Sequence, residues 1–316
     1  MKHKQVMSNA LSGAAVVIIM GITTTVATAT EPCDDFGECK VVIELNTTDG
    51  DVGFHFLVDG DNLVKIEGIN PDGKKFFKAD AKKELREQFM TETFVESAEP
   101  LCFDPAGDDD EDNDDEDFVT LEEFLERWSP GTYKFKGKAD EGEKLKGETE
   151  LTHEIPAAPV DLEFDGSVIS WAVADEGLGD LGECADYDEL AELVSEGVLP
   201  VHPDDVEVAA WEVVFEPDVE AEDDASPEEF AAAEALGKLK FTIRLSGDVN
   251  EFPPPLAVTV PAKYLASLPD DTPAKIEVGA IGADDNASFT EEVDICVNET
   301  VAGCEFEDDD DDDDEE

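Results

Sequence analysis

Acidic residues crowd the segment 107–117, GDDDEDNDDED, and supply the strongest candidates for metal chemistry in the chain. A calcium-binding EF-hand loop takes side-chain ligands from positions one, three, five and twelve, and carboxylates suit these positions. Aligning that loop with the sequence assigns them to Asp112, Asp114, Glu116 and Glu123. These four residues are therefore the candidate calcium ligands, and calcium is the one cofactor that the sequence suggests.

Two features argue against a preformed EF-hand in this segment. Position six of the loop is Asp117, where a glycine is needed for the sharp turn, and Pro105 is incompatible with an entering helix. Thr120 and Glu123 also have the spacing of a helix capping box, which explains Glu123 without a metal. Two interpretations stay open: loose calcium binding by clustered carboxylates, and a solvated acidic loop without a ligand.

No sequence pattern typical of an enzyme's catalytic residues occurs in the chain. It contains no G-x-S-x-G, no glycine-rich phosphate loop and no H-E-x-x-H. Three histidines lie beyond the first 29 residues, His55, His153 and His202, and the alternation around His55 predicts a solvent-facing position on a strand. Among 83 acidic residues, a glycosidase-like carboxylate pair cannot be distinguished from chance spacing. The sequence therefore predicts a protein that is not an enzyme.

The first 29 residues contain the parts of a secretory signal peptide. A basic start, MKHK, precedes an apolar stretch that ends in an A-x-A pattern at Ala27 and Ala29. This stretch is too short and too rich in threonine for a bilayer span, which requires about 20 apolar residues. We expect cleavage after Ala29, a periplasmic or extracellular location, and a mature chain without a membrane span.

All six cysteines follow that segment: Cys33, Cys39, Cys102, Cys184, Cys296 and Cys304. An even number of cysteines in an exported chain predicts disulfides, although six cysteines permit many pairings. Two local pairs stand out because each closes a short polar loop, Cys33–Cys39 and Cys296–Cys304, which leaves Cys102 and Cys184 to each other. A zinc site is the competing interpretation, and the lack of any C-x-x-C weakens it.

The formal net charge is −62 at pH 7, from 83 Asp and Glu against 21 Lys and Arg. Such a charge makes nucleic acid a poor partner and favours cations or a basic protein. The hydrophobic fraction of 41% is nevertheless high enough for folded cores. Residues 307–316 are all acidic and should repel one another, so the sequence predicts a disordered acidic tail over 305–316. Nothing in the sequence indicates the oligomeric state.

Short alternating segments separated by turn sequences predict a mainly β protein. Residues 30–155 are predicted to form a small β-rich domain with one or two short helices, one of which starts after Thr120. Residues 155–159, IPAAP, are a plausible linker. Regularly spaced strands over 160–300, interrupted by two helical insertions, predict a β-sandwich as a second domain.

Two parts of this second domain resemble a fibronectin type III module: SVISWAVA, with Trp171, and AVTVPAKYLASLPDDTPAKIEVGAIGADDNAS. The resemblance implies that Trp171 lies on the second strand and that the longer segment forms the fifth to seventh strands. The chain departs from the module at Ala274, where the family usually has a tyrosine, and in its long helical insertions. The first domain, in ETFVESAEP and TLEEFLERWSPGTYKFKGKADEGEKLKGETELTHEIPAAP, is similar to a group of exported bacterial proteins, which implies a two-domain layout and no site residue.

Basic residues are concentrated in the first domain. Lys134, Lys136 and Lys138 alternate with Tyr133 and Phe135, which predicts that the three lysines share one exposed face of a strand. One interpretation is a basic strip that docks an acidic partner, such as the second domain itself. The other is that these lysines protect an edge strand against aggregation.

Composition and motifs thus predict an exported, acidic binding or structural protein that acts through its surfaces without catalysis. Adhesion, envelope organisation and presentation of a partner are the roles that fit. The alternative is an exported calcium-binding protein that uses the acidic loop 107–117 and the acidic tail.

Overall fold

The computed structural model describes residues 33–103, 118–174, 177–219, 226–247 and 256–300. All of them belong to one compact unit, Pro32–Glu316. The described residues are mainly in β-strands, which confirms the predicted fold class. Within these ranges, no helix has both the length and the apolar character needed to cross a membrane.

The first half of the chain folds into six strands and two short helices. In chain order they are β1 (Glu38–Asn46), β2 (Asp51–Ile69), β3 (Lys75–Asp80), α1 (Lys83–Gln88), β4 (Met90–Glu96), α2 (Leu121–Arg127), β5 (Gly131–Ala139) and β6 (Lys144–Leu151). Thr120 accepts a hydrogen bond from the backbone N–H of Glu123, so the predicted cap of α2 is confirmed.

Strand β2 organises this half because it is long enough to have four neighbours. Its first part pairs with β1 and β4, and its second part pairs with β3 and β5. The two parts meet near Gly60 and Asn62, where the pairing register shifts and Asn62 adopts a positive φ of 55°. Asparagine tolerates this left-handed conformation better than most residues, so the strand can bend there. The bend turns the sheet around one apolar core.

The second half of the described chain folds into seven strands and three helices. In chain order they are β7 (Val160–Phe164), β8 (Val168–Ala172), α3 (Tyr187–Glu196), β9 (Val208–Pro217), α4 (Pro227–Gly237), β10 (Phe241–Ser246), β11 (Leu256–Thr259), α5 (Ala262–Leu265), β12 (Thr272–Gly282) and β13 (Ala287–Val297).

These seven strands form a β-sandwich. A three-stranded sheet, β11-β8-β7, packs across a shared apolar core from β10-β9-β12-β13. Trp171 is buried on β8, the second of the seven strands, against Trp211 of β9. Strands β11, β12 and β13 are the fifth to seventh, which agrees with the strand assignment made from the sequence. Ala274 is buried on β12, and the hydroxyl of Tyr264 from α5 donates to backbone carbonyls of Phe215 and Leu239.

One parallel strand pair joins the sheets of the two halves. Glu44 and Asn46 of β1 lie beside Ala287 and Phe289 of β13, so a single sheet runs in the order β10-β9-β12-β13-β1-β2-β5-β6. Helix α3 lies within the predicted second domain, yet its Leu190 packs in the apolar core of the first half. The independence of 30–155 and 160–300 as separate domains stays a prediction.

Two disulfides connect described cysteines. Cys33 bonds to Cys39 with Cα atoms 5.5 Å apart, and Cys102 bonds to Cys184 with Cα atoms 5.0 Å apart. Cys296 is also disulfide-bonded, and Cys304 lies outside the described residues. Disulfides rather than zinc therefore account for the described cysteines.

Candidate functional site

The predicted calcium ligands fall largely outside the described part of the chain. Asp112, Asp114 and Glu116 lie there, whereas Glu123 is in the first turn of α2, where its backbone N–H donates to Thr120 Oγ1 at 3.3 Å. Among the described residues, no group of three or more His, Cys, Asp or Glu side chains is arranged to hold a metal ion. Calcium binding by the loop stays a prediction.

The structure brings six lysines together on the outer surface of the bent sheet, which we call the lysine face. Its members are Lys65 of β2, Lys134, Lys136 and Lys138 of β5, and Lys144 and Lys146 of β6. The predicted alternation is confirmed, since Tyr133 and Phe135 are buried while the three lysines of β5 are exposed. The basic strip seen in the sequence is therefore part of a wider surface.

The pairing register places lysines of this face directly opposite one another. Lys138 faces Lys144 on one side and Lys65 on the other, and Lys136 faces Lys146 on one side and Glu67 on the other. Like charges at directly opposed positions destabilise a sheet. The turn at 140–143 sets this register, so the lysines meet because of how β5 and β6 are connected.

Few carboxylates neutralise the lysine face. Glu67 is bound by Lys65 and Lys75 at 2.5 and 2.7 Å, and their hydrogen bonds lower the pKa of Glu67 to about 2. Lys134 has Glu148 at 3.8 Å. The other four lysines, Lys136, Lys138, Lys144 and Lys146, have no described carboxylate within ion-pair distance. Their charges are left to solvent and to whatever anion approaches them.

Close packing beneath the lysine face holds its strands in place. Gly137 of β5 and Gly147 of β6 both lie against the ring of Phe36, and a Cβ at either position would come within 2.9 Å of that ring. Cys33 lies against Gly147 as well, so the Cys33–Cys39 disulfide underlies this surface. The lysines are thus carried by closely packed strands rather than by a loop.

The structure also assembles five carboxylates where β1 meets β13, a group we call the acidic seam. They are Glu44 of β1, Asp51 of β2, Glu99, Glu277 of β12 and Glu291 of β13. They surround a cavity of about 170 Å³ that Asn46 and Phe289 also line. Glu44 lies opposite Gly53, and a Cβ at Gly53 would collide with Glu99 and His55, so the glycine makes room for this crowding.

Burial and mutual repulsion disfavour the charged forms of the seam carboxyls. Burial, followed by the charges of Glu99, Glu212, Glu96 and Asp51, raises the pKa of Glu44 to about 7. Burial and the neighbouring Glu291 raise the pKa of Glu277 to about 7, against the opposing effect of Lys240. Burial and Glu99 raise the pKa of Asp51 to about 6. The seam therefore takes up protons near neutral pH.

A network of hydrogen bonds fixes the strands that carry the acidic seam. The Asn286 side chain is fully buried; its Oδ1 accepts from the N–H of Ile43 at 2.9 Å, and its Nδ2 donates to Thr152 O at 3.0 Å. Ser288 and Thr290 donate to the carbonyls of Pro156 and Pro159 in the predicted linker. The linker is thus tied down along β13.

The three histidines among the described residues are buried, which corrects the prediction that His55 faces solvent. His55 is 5% exposed, lies 3.1 Å from Glu99 Oε1 and packs edge-on against Phe94. Its strand face was predicted correctly, but the side chains of Phe94 on β4 and of Glu99 lie against it. His153 bridges the carbonyls of Trp128 and Val198, and His202 contacts Tyr187.

Sequence reasoning missed the acidic seam entirely. Its members lie far apart in the chain, between Glu44 and Glu291, and only the pairing of β1 with β13 brings them together. No local spacing marks them among the many acidic residues. The alternation on β5, by contrast, was a local signal and revealed half of the lysine face.

No family model matches this chain, and no curated protein matches it. Among solved structures, a two-domain fibronectin type III segment of chicken tenascin is 7% identical, with a TM-score of 0.23, over 82% of this chain and 98% of that one. The BSP domain of a biofilm-associated protein is 10% identical over 88% of this chain and 31% of that chain, with a TM-score of 0.20.

A structure from a 1.5-MDa bacterial ice-binding adhesin, described in terms of host cell surface retention, is 9% identical over 85% of this chain and 66% of that one. Its TM-score is 0.20. At TM-scores this low, none of the three likenesses assigns a fold or a function to this chain. The sandwich architecture rests on the strand order and the shared core.

Proposed function

We propose that this chain is an exported, non-catalytic binding or structural protein, and that the lysine face is the surface through which it binds an acidic partner. One observation carries the proposal: four exposed lysines without an ion-pair partner among the described residues lie together in a chain of 83 acidic residues. Adhesion, envelope organisation and partner presentation are roles in which such a surface would act.

The register of the lysines argues for a function because it opposes stability. Three directly opposed lysine pairs each destabilise the sheet, by a few tenths of a kcal/mol up to about 1 kcal/mol. An acidic side chain at any of these positions would form a favourable pair instead, and acidic residues are the most abundant charged residues here. A bound anion would remove the same repulsion.

Protection of a sheet edge does not account for the lysines of β5. Edge protection explains Lys144 and Lys146, because β6 ends the order of paired strands. Strand β5, however, lies between β2 and β6 and is paired on both sides. Its lysines therefore need another explanation, and recognition of an acidic ligand supplies one.

The disulfides favour an oxidising compartment, either the periplasm or the cell exterior. Cys33–Cys39 and Cys102–Cys184 would both be reduced in an ordinary cytosol. An exported location also exposes the lysine face to acidic proteins and surface polymers. Cations or a basic protein, proposed as partners from the net charge, would bind elsewhere on the molecule.

Binding of a fluorescent ten-residue aspartate peptide tests the proposal. The full chain without its predicted signal segment is titrated at low ionic strength, and anisotropy reports binding. We expect K134Q/K136Q/K138Q to weaken binding roughly tenfold, since each exposed ion pair contributes up to about 1 kcal/mol. The matched control is K82Q/K83Q/K263Q, which removes three exposed lysines outside the lysine face. Equal weakening by both triple variants, or none by either, would refute the proposal.

A further inference from the structure

We infer that the acidic ligand of the lysine face is the run 307–316 of a second copy of this chain, so that copies associate head to tail. The inference rests on the proposed function of that face. It joins two features: a surface with unpaired lysines, and ten consecutive acidic residues that follow the described part of the chain in sequence.

The chain leaves the described structure at the far end of the sandwich. The N–H of Thr300 donates to Asp271 Oδ1 at 2.6 Å, and Asn298 donates to the carbonyls of Leu265 and Leu268. These bonds fix the position of the last described residues, after which the chain continues to residues 307–316. That position is beyond Val297, the last residue of β13.

The lysine face lies toward the other end of the molecule. From Val297 back to Ala287, the 11 residues of β13 span about 33 Å at the rise of a strand. The next residue back, Asn286, binds Thr152, and from there β6 runs on for six residues, about 20 Å, to Lys146. Hydrogen bonds also join the backbone of Lys146 to Asp35, which precedes β1. This contact independently places Lys146 near the start of β1, away from Val297. These strand lengths set an upper limit of about 50 Å on the separation between Val297 and Lys146.

The run 307–316 is poorly suited to bind the lysine face of its own chain. Its middle lies 11 or 12 residues beyond Thr300, so it reaches at most about 40 Å when fully extended. The path also crosses a half of the chain in which residues 156–300 contain 36 acidic and 5 basic residues. Repulsion along that path disfavours an extended docking within one chain.

The same run suits the lysine face of a second copy. Two bodies of this net charge repel each other, but screening at physiological ionic strength limits that repulsion to about 8 Å. A tethered run of acids reaches several times farther, so it can bind while the bodies stay apart. Because the two contacting surfaces differ, the contact is heterologous and can repeat from copy to copy.

Sedimentation velocity with one-sided variants tests the inference. One variant, K134E/K136E/K138E, lacks the lysine face but keeps the acidic run; the other lacks residues 307–316 but keeps the lysine face. Each variant alone should be a monomer at physiological ionic strength, and a mixture of the two should form a one-to-one dimer. The unaltered chain should associate further. Raising the salt to about 1 M, where screening acts over about 3 Å, should weaken the contact roughly tenfold.

The outcomes separate this inference from the proposed function. If the mixed variants stay monomeric while the aspartate peptide still binds the lysine face, the inference fails and the proposed function stands. If the mixture associates only while residues 107–117 keep their acids, the occupant is the acidic loop and the inference also fails. If neither peptide nor mixture binds, both fail. Circular dichroism of K134E/K136E/K138E against K82E/K83E/K263E excludes misfolding as the cause.

Discussion

The lysine face and the acidic seam are two clusters of side chains with the same sign of charge, and strand β2 contributes residues to both. Asp51 at its start belongs to the acidic seam, and Lys65 near its end belongs to the lysine face. Four of the five seam acids are half-buried around a small cavity, and the seam can reduce its repulsion by taking up protons near neutral pH. The lysines are exposed and depend on water or an external anion.

This difference indicates different roles. Repulsion in the acidic seam acts inside the fold, at the one strand pair that joins the two halves, and pH or cations modulate it without a specific partner. Repulsion among the lysines of the lysine face acts at the protein surface, where a bound molecule can reduce it. Substitutions at the seam should therefore change stability, whereas substitutions on the lysine face should mainly change binding.

The two disulfides give the largest expected contrast. Cys102–Cys184 lies beside the seam, since Cys102 N–H donates to Gly50 O, and it closes a segment of 82 residues. Cys33–Cys39 underlies the lysine face and closes only 6. By loop-closure entropy their contributions are about 4.5 and 2 kcal/mol. Urea unfolding of C102S/C184S and C33S/C39S measures both, and an equal or reversed order would contradict this account.

Asn286→Ala should be the most destabilising single substitution at the junction. It leaves the buried N–H of Ile43 without its partner and removes the donor to Thr152, which together should lower the free energy of unfolding by about 3 kcal/mol. Asn70→Ala, at an exposed turn, is the matched control and should cause less than about 1 kcal/mol. Similar losses for the two variants would show that the junction is not held by Asn286.

The acidic seam should make the protein more stable as pH falls from about 8 to 5. The pKa of Glu44 is about 7 in the fold against 4.5 in the unfolded chain, so between these values the folded state holds the extra proton. Its stabilising effect is present at low pH and is lost as pH rises through about 7.

Glu44→Gln tests that pH dependence, since it removes the charge while keeping the shape of the side chain. We expect a gain of about 1–2 kcal/mol at pH 8 that vanishes near pH 5, measured by urea unfolding at fixed ionic strength. Glu150→Gln, an exposed acid on β6, should change neither value. A loss of stability at pH 8 in Glu44→Gln would contradict the assignment.

Local patterns predicted the strands, the cap at Thr120 and the buried Trp171, because alternation and capping depend on neighbouring residues. Local patterns failed where the burial of a residue depends on segments that are distant in the sequence. His55 was placed on the correct face of β2, but the side chains of Phe94 and Glu99 lie against it. The acidic seam was invisible for the same reason, since it exists only through the pairing of β1 with β13. The lysine face lay between these cases: alternation on β5 was visible, whereas the opposed register with β6 was not.

The central claim is that the opposed lysines of the lysine face bind an acidic partner and that their mutual repulsion lowers the stability of the fold. Lys138→Glu tests it most directly, because the new carboxylate would face both Lys144 and Lys65. We expect the free energy of unfolding to rise by about 0.5 kcal/mol, while affinity for the ten-residue aspartate peptide falls several-fold. Both values are measured on the same preparation. A variant that is less stable, or that binds the peptide as tightly as the unaltered chain, would contradict the account.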